Sequence, residues 1–322
     1  MFRWIVLAVL LALPALAPQA AAQTFPSRPI TLINVFAAGG PSDIYLRVLA
    51  NKAKEVFGVP VVVENKLGGA GTIGPATMAA TAKPDGYTIS YVGAGMFTVP
   101  LLQKVAFDTE KDFTYIIGLS GYRIIVAVKA DARWQSWAEV MAEAKANPMK
   151  LTYSTPGVGS ATHLALESVA APLGLKFTHV PFRGASEQAA AMLGGHIDIT
   201  AAGGNLFPII DAKEARALLW LTDESNPRYP EIPGVRSLGI TPSIDLNFPF
   251  GLAGPKGMDP AIVKILHDGF KKAMETPEHE EVLKQLDQPN RYMSSADYTA
   301  FIRQQMAAYR ATMQELGLVK KD

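Results

Sequence analysis

The sequence contains no cysteine, which removes disulfides, thiolate nucleophiles and cysteine-based metal sites together. That absence also excludes a lipid anchor on an N-terminal cysteine. It suits an oxidising compartment when the core is large enough to need no covalent staples. Excess charge of either sign is missing as well: 30 basic residues face 29 acidic ones. Scattered, balanced charge offers no stripe for phosphate backbones or anionic lipid, so neither nucleic acid nor a membrane surface is expected as a partner. Catalytic and metal-binding spacings are absent too. There is no H-E-x-x-H, no G-x-S-x-G and no G-x-x-x-x-G-K-S/T, which argues against zinc hydrolysis, a serine nucleophile elbow and a P-loop. No metal and no cofactor are expected.

What is present begins at the N-terminus. Arg3 precedes an apolar run from Trp4 to Leu13, followed by Pro14 and the small residues Ala20, Ala21 and Ala22. A short basic start, a brief apolar stretch and an A-x-A site make a secretory signal, with cleavage expected after Ala22 and the mature chain beginning at Gln23. A spanning anchor would need about twenty apolar residues. The expected location is therefore the periplasm. The mature chain has about 300 residues, more than one core usually organises, so two lobes are expected.

Strand, glycine loop, helix and strand recur along the chain. Ile30 to Phe36 has the β-branched character of a buried strand and runs into Ala37-Ala38-Gly39-Gly40-Pro41-Ser42-Asp43, where Pro41, Ser42 and Asp43 start a helix. The helix stops at Gly58, and Pro60 to Val63 is the next strand. About 120 residues later the same order returns: a strand at Lys150 to Ser154, the loop Pro156 to Ser160, a helix from Ala161 to Leu173, and a strand at Leu175 to Phe182. Strands at Tyr87 to Val92 and His196 to Thr200 complete the two units. The expected fold is α/β and two-lobed, each lobe a mainly parallel sheet flanked by helices. Arg123 to Lys129 is expected to cross between lobes, with the return near Ala217 to Leu221. This divides the chain into a signal at 1–22, a first lobe of 23–122 with 222–322, and a second lobe of 123–221. A proline-rich stretch with Pro227, Pro230, Pro233 and Pro242 follows, then a strand at Phe248 to Ala253. Helices at Pro260 to Met274, Glu278 to Leu286 and Ala296 to Leu316 are expected to pack back on the first lobe.

Ligands of open α/β sheets sit outside the carboxyl ends of the strands. That edge carries Phe36 to Asp43, Gly93 to Thr98, Thr155 to Thr162, Arg183 to Ser186 and Ala202 to Leu206. The first loop offers Phe36, Ala38, Gly39, Gly40, Ser42 and Asp43 as candidate contacts. The second lobe offers Ser160, Thr162, Arg183, Gly203 and Asn205, and Ala94, Met96 and Thr98 complete the set. Glycine lets backbone approach closely, and helix starts present free N–H groups with partial positive charge. Two such loops facing each other would hold an anion without a cluster of cations. The competing motifs fail on context. Gly69-Ala70-Gly71-Thr72-Ile73-Gly74 matches G-x-G-x-x-G, yet it does not follow the first strand of its unit, and no acidic residue ends the next strand. Ser160 and His163 are spaced for capping more than for nucleophile activation. His179 and His196 read as structural, and His279 with Glu278, Glu280 and Glu281 as a solvated helix start.

Over nearly its whole length the chain resembles the substrate-binding proteins of tripartite tricarboxylate transporters, the Bug family. The matching landmarks are Phe25-Pro26-Ser27-Arg28-Pro29-Ile30, the loop to Asp43, Val63-Glu64-Asn65, Pro84-Asp85-Gly86-Tyr87 and Lys111-Asp112-Phe113. Further along stand His163-Leu164, His179-Val180-Pro181-Phe182-Arg183-Gly184 and Leu193-Gly194-Gly195-His196-Ile197-Asp198. The resemblance implies a Venus-flytrap fold of the type II periplasmic binding protein kind, acting as a monomer. It implies a small organic carboxylate ligand and delivery to an integral-membrane permease of one large and one small subunit. It carries Gly39, Gly40, Ser42 and Asp43, facing Ser160 and Thr162, over as carboxylate contacts, partly through ordered water. The chain departs from the family where Ala37 and Ala38 replace a common proline and Pro41 a frequent glycine. With Phe36, Met96 and Phe97 would make the pocket more apolar, favouring aromatic or longer aliphatic carboxylates. A ligand-binding adaptor for a membrane sensor kinase is the competing class, and an enzyme the third.

Overall fold

The computed structural model describes residues 25–222, 226, 228–241, 244–315 and 317–319. The expected signal with its cleavage site at Ala22, and Pro227 and Pro242 of the proline-rich stretch, lie outside the described residues. The first unit runs β1 (Ile30–Asn34), α1 (Pro41–Phe57), β2 (Val61–Asn65), α2 (Ile73–Thr81), β3 (Thr88–Val92), α3 (Gly95–Leu102) and β4 (Phe113–Ser120). The second runs β5 (Ile125–Lys129), α4 (Trp137–Ala146), β6 (Thr152–Thr155), α5 (Ala161–Ala170), β7 (Thr178–Pro181), α6 (Ala185–Leu193), β8 (Ile199–Ala202), α7 (Phe207–Asp211) and β9 (Ala215–Trp220). The chain ends with β10 (Phe250–Pro255), α8 (Pro260–Met274), α9 (Pro277–Leu286), β11 (Asn290–Met293) and α10 (Ser295–Glu315).

Two sheets result, ordered β11-β4-β10-β3-β1-β2 and β7-β6-β8-β5-β9. The internal repeat is visible in these orders. β2-β1-β3-β10-β4 of one sheet matches β7-β6-β8-β5-β9 of the other, with β11 added at one edge. Four of six strands run one way in the first sheet and four of five in the second, but β10 and β5 are antiparallel to both neighbours. Both sheets are therefore mixed in pairing. In each, the reversed strand at this matching position is the one that enters from the other sheet. The first crossing comes earlier than the sequence puts it, at Gly121 to Ile124, since β5 lies wholly in the second sheet; the return follows Trp220, at the end of the expected stretch. Leu221 N–H donates to Ile124 C=O at 2.7 Å, tying the two passages side by side.

Local sequence accounts for the elements that frame the cleft. α1 starts with Pro41 in its first turn and ends at Gly58, whose φ of 71° lets its N–H cap Lys54 C=O. α8 is capped by Asp259 and buries Leu266, Phe270 and Ala273, packing against α1. Burial of each large side chain there contributes about 1.5–3 kcal/mol. α10 covers β4 and α3, with Tyr298, Ile302, Tyr309 and Met313 fully in the core.

The elements unread in the sequence include β4, α4, β11 and α3. α3 replaces the expected loop after Gly93. Its turn tolerates Pro100 because Met96 C=O, which would lack an N–H partner four residues on, accepts from Thr109 Oγ1 at 2.6 Å. His279 is also corrected. It is wholly buried, not solvated, because α9 turns it against α1, where Nε2 meets Tyr45 OH at 2.9 Å.

Candidate functional site

The carboxyl ends of β1, β6 and β8 open onto one cavity between the sheets, of about 70 Å³. Three helices begin at its wall: α1 through Gly40, Pro41 and Ser42, α5 through Ser160, Ala161 and Thr162, and α6 through Ala185 and Ser186. Helix starts leave amides without an intrahelical acceptor and concentrate partial positive charge. At α1, Pro41 has no N–H and Ile44 N–H already donates to Gly40 C=O at 3.0 Å, so Ser42 and Asp43 carry the remaining first-turn amides. At α5, Ser160 Oγ caps His163 N–H at 3.3 Å and lies 3.2 Å from Thr162 Oγ1. The rest of the wall is largely apolar, with Phe36, Ile124, Pro156 and Ala202. No charged side chain lines the cavity among the described residues.

The floor is aromatic. Tyr122 sits on the first passage between sheets, its OH 3.0 Å from Tyr91 OH. Its ring packs 5.0 Å from Phe250. Burial pushes the Tyr122 hydroxyl well above its ordinary value, so it faces the cavity as a neutral group.

Of the candidates read from sequence, Phe36, Gly40, Ser42, Ser160, Thr162 and Gly203 line the cavity. Asp43 does not. Its carboxylate turns back under the loop and accepts from Gly39 N–H at 3.0 Å, Arg47 Nε at 2.9 Å and Asn65 Nδ2 at 2.9 Å. Burial alone would raise the Asp43 carboxyl; hydrogen bonds from Arg47, Gly39 and Asn65 overcome that and hold it at about 2. Gly39 belongs to this brace, with φ at 76°. Ala38 stands outside the cavity wall on the same loop.

Met96 and Thr98 are corrected too. Both are fully buried, because α3 aims Met96 into the hydrophobic core and Thr98 across the cleft. Thr98 Oγ1 donates to Gly159 C=O, joining the first sheet's helix to the second sheet's loop. Phe97 stacks on Tyr309 at 5.9 Å, so neither Met96 nor Phe97 widens or greases the pocket. Ala94 lines a smaller recess beside it, with Gly71, Tyr91 and Tyr122. Arg183 is exposed on a neighbouring groove with Gly68, Gly71 and Gly157. Asn205 Nδ2 donates to Ala185 C=O at 3.0 Å, which braces the start of α6.

Sequence reasoning missed Tyr122, Ile124 and Gln188 in the wall, and took in Ala161 and Ala185 only as members of the cleft-edge loops. Gln188 is the most telling. It is fully buried, lines the cavity, and neither its Nε2 nor its Oε1 has a partner among the described residues. Leaving such atoms unpaired costs about 1–3 kcal/mol each. Extending the Arg183 to Ser186 loop by half a helical turn would have found it.

Comparisons with known proteins agree with this architecture. Residues 45–318 match the family described as "Tripartite tricarboxylate transporter family receptor". The chain is 41% identical over 310 residues to a UPF0065 protein in the gbd 5' region of Cupriavidus necator, covering 96% of this chain and 94% of the relative. It is 32% identical over 314 residues to a UPF0065 protein of Bordetella pertussis, covering 96% and 95%. Among solved structures, the periplasmic binding protein BugD superposes with a TM-score of 0.86 at 26% identity, over 92% of this chain and 100% of that one. The two mixed sheets with a cleft between them are thus a periplasmic-binding-protein fold, and the chain belongs to the tripartite tricarboxylate transporter receptor family, whose members bind solutes and are not enzymes.

Proposed function

We propose that this solute-binding protein captures a small organic carboxylate in the cavity between its lobes and delivers it to a tripartite transporter permease. The observation that carries the reading is the convergence of three helix starts on a cavity without a charged side chain among the described residues. An anion there is held by neutral donors: first-turn amides of α1, α5 and α6, and the hydroxyls of Ser42, Ser160 and Thr162. Helix N-termini favour anions through aligned amide dipoles and unpaired N–H groups. A cationic solute would meet the wrong end of three dipoles, and a bulky neutral one would waste them.

The lobes, 23–122 with 222–322 and 123–221, open and close about Gly121 to Ile124 and the passage after Trp220. Hinge closure of this kind is the usual response of two-lobed receptors. The chain works in the periplasm, freed from its signal near Ala22. The family described over residues 45–318 supports permease delivery as the destination.

Thermal-shift screening of purified mature chain against mono-, di- and tricarboxylates, with sugars and amines as controls, tests the reading. A carboxylate at 100 times its dissociation constant should add about 2.7 kcal/mol to stability. Stabilisation by sugars or amines, with none from any carboxylate, contradicts it.

A further inference from the structure

Gln188 is a buried side-chain amide placed in the cavity wall with both ends unanswered. It stands at the first turn of α6, whose start also fronts the cavity. The main chain does not need the side chain there. Gln188 N–H already bonds Gly184 C=O at 3.3 Å within the helix, and the other described wall residues leave Nε2 and Oε1 unpaired.

We propose that Gln188 is a specificity-determining residue, and that the ligand is a monocarboxylate bearing one neutral hydroxyl or primary amide group that pairs with it. The inference rests on the carboxylate reading above and adds the second recognition point. A side-chain amide offers one acceptor and two donors. A hydroxyl answers the acceptor and takes a donor, and a primary amide does both with matched geometry. A second carboxylate answers only Nε2 and sets its charge against Oε1. No lysine, arginine or histidine among the described residues lines the cavity to offset that charge, and a buried unpaired charge is far costlier than an unpaired amide. An unsubstituted aliphatic carboxylate leaves both amide atoms unanswered.

Phe36, Ile124 and Pro156 in the same wall suit a carbon body between the carboxylate and this one polar group.

The test is calorimetry of the mature full chain with four-carbon probes: butyrate, 2-, 3- and 4-hydroxybutyrate, succinamate and succinate. The expected result is that at least one hydroxy acid or succinamate binds about tenfold or more tighter than butyrate, with succinate no better than butyrate. In Gln188→Met, which keeps length and removes hydrogen bonding, that preference should fall to about twofold or less while butyrate affinity is kept. Gln188→Ala reads the same ratio should the methionine variant fail to fold. Preference for succinate, equal binding of butyrate and every substituted probe, or a preference that survives both variants overturns the assignment of Gln188 while leaving carboxylate capture intact. Survival of the preference would leave Gln188 holding structural water only. No binding of any probe, with stabilisation by a non-carboxylate, sinks both readings.

Discussion

The imidazole of His163 lies against that of His179, ring centroids 4.5 Å apart, and both pack beside Tyr153 beneath the loop that carries Ser160. His163 Nδ1 accepts Gly159 N–H at 3.1 Å, while its own backbone N–H is capped by Ser160. His179 Nε2 meets Thr155 Oγ1 at 2.6 Å. The pair thus braces the loop from Thr155 to Ser160 from below, and His163 can do so only when Nδ1 is unprotonated.

Both imidazoles are lowered from 6.5 to about 4, His179 by burial and His163 by burial together with the neighbouring His179. The unfolded chain takes up protons near pH 6.5 and the fold does not, so stability is full above that value and declines as pH falls toward 4. At pH 5 the buried His163 ring costs on the order of 2 kcal/mol, and the half-buried His179 less because solvent screens it. Urea midpoints measured between pH 7.5 and 4.5 should fall over that window. His163→Gln should flatten the fall; a midpoint indifferent to pH would show that the rings are not buried neutral.

Ser160 and Thr162 are separable. Ser160 caps α5 as well as fronting the cavity, so Ser160→Ala should cost about 1 kcal/mol of stability besides weakening binding. Thr162 fronts the cavity with its hydroxyl 3.2 Å from Ser160 Oγ, without a capping duty. Thr162→Val keeps shape and should weaken carboxylate binding about tenfold at unchanged stability, since a hydrogen bond to a charged group contributes roughly 1.5–3 kcal/mol. Calorimetry alongside urea melts checks both. Parent-like affinity in the two variants would move the anion site elsewhere in the cleft.

The β-branched run at Ile30 and the glycine loops before Ser42 and Ser160 announce buried strands feeding helix starts, and the sheets are built around them. Period and turn chemistry are local, so they are legible. Which way a side chain leaves its loop is not. Asp43 looks like a cleft residue until Arg47 and Asn65, one helical turn and 22 residues away, claim its carboxylate. Met96 looks like wall until α10 arrives from the far end of the chain to cover α3. Tyr122 enters the cavity because the chain changes sheets beside it, a fact of topology with no local mark. Gln188 hides for a simpler reason: it sits just inside a helix, beyond the loop where contacts are sought.

Asp43 should therefore behave as a brace. Removing it frees Gly39 N–H, Arg47 and Asn65 Nδ2 together. Asp43→Ala should destabilise by about 2–3 kcal/mol, and Asp43→Asn by less, since one acceptor oxygen survives. Its carboxyl is held at about 2, below the ordinary 3.8, so the stabilisation is present above pH 3.8 and is lost as pH falls through 2. Denaturant melts at neutral pH read the ranking. Parent-like stability with lost binding in Asp43→Ala would instead mean direct contact with ligand.

Thr98 gives the sharpest separation of contact from closure. Its hydroxyl donates across the cleft to Gly159 C=O, at a residue whose φ of +79° suits glycine and whose added Cβ would lie 2.9 Å from Thr98 Oγ1. The two residues flank opposite sheets, so under the hinge motion proposed above their contact exists only with the lobes shut. Thr98→Val keeps the shape and deletes the bond, which contributes roughly 0.5–1.5 kcal/mol to the closed form. Affinity should fall about two- to tenfold for every carboxylate alike, because what is lost is closure and not a ligand contact. Small-angle scattering should show the parent contracting on ligand, with the variant needing more ligand for the same change. Gly159→Ala should act in the same direction and more strongly, adding backbone strain to the clash. A change in the ranking among carboxylates in Thr98→Val would count against this account, since only a residue in contact with the ligand can choose between two of them.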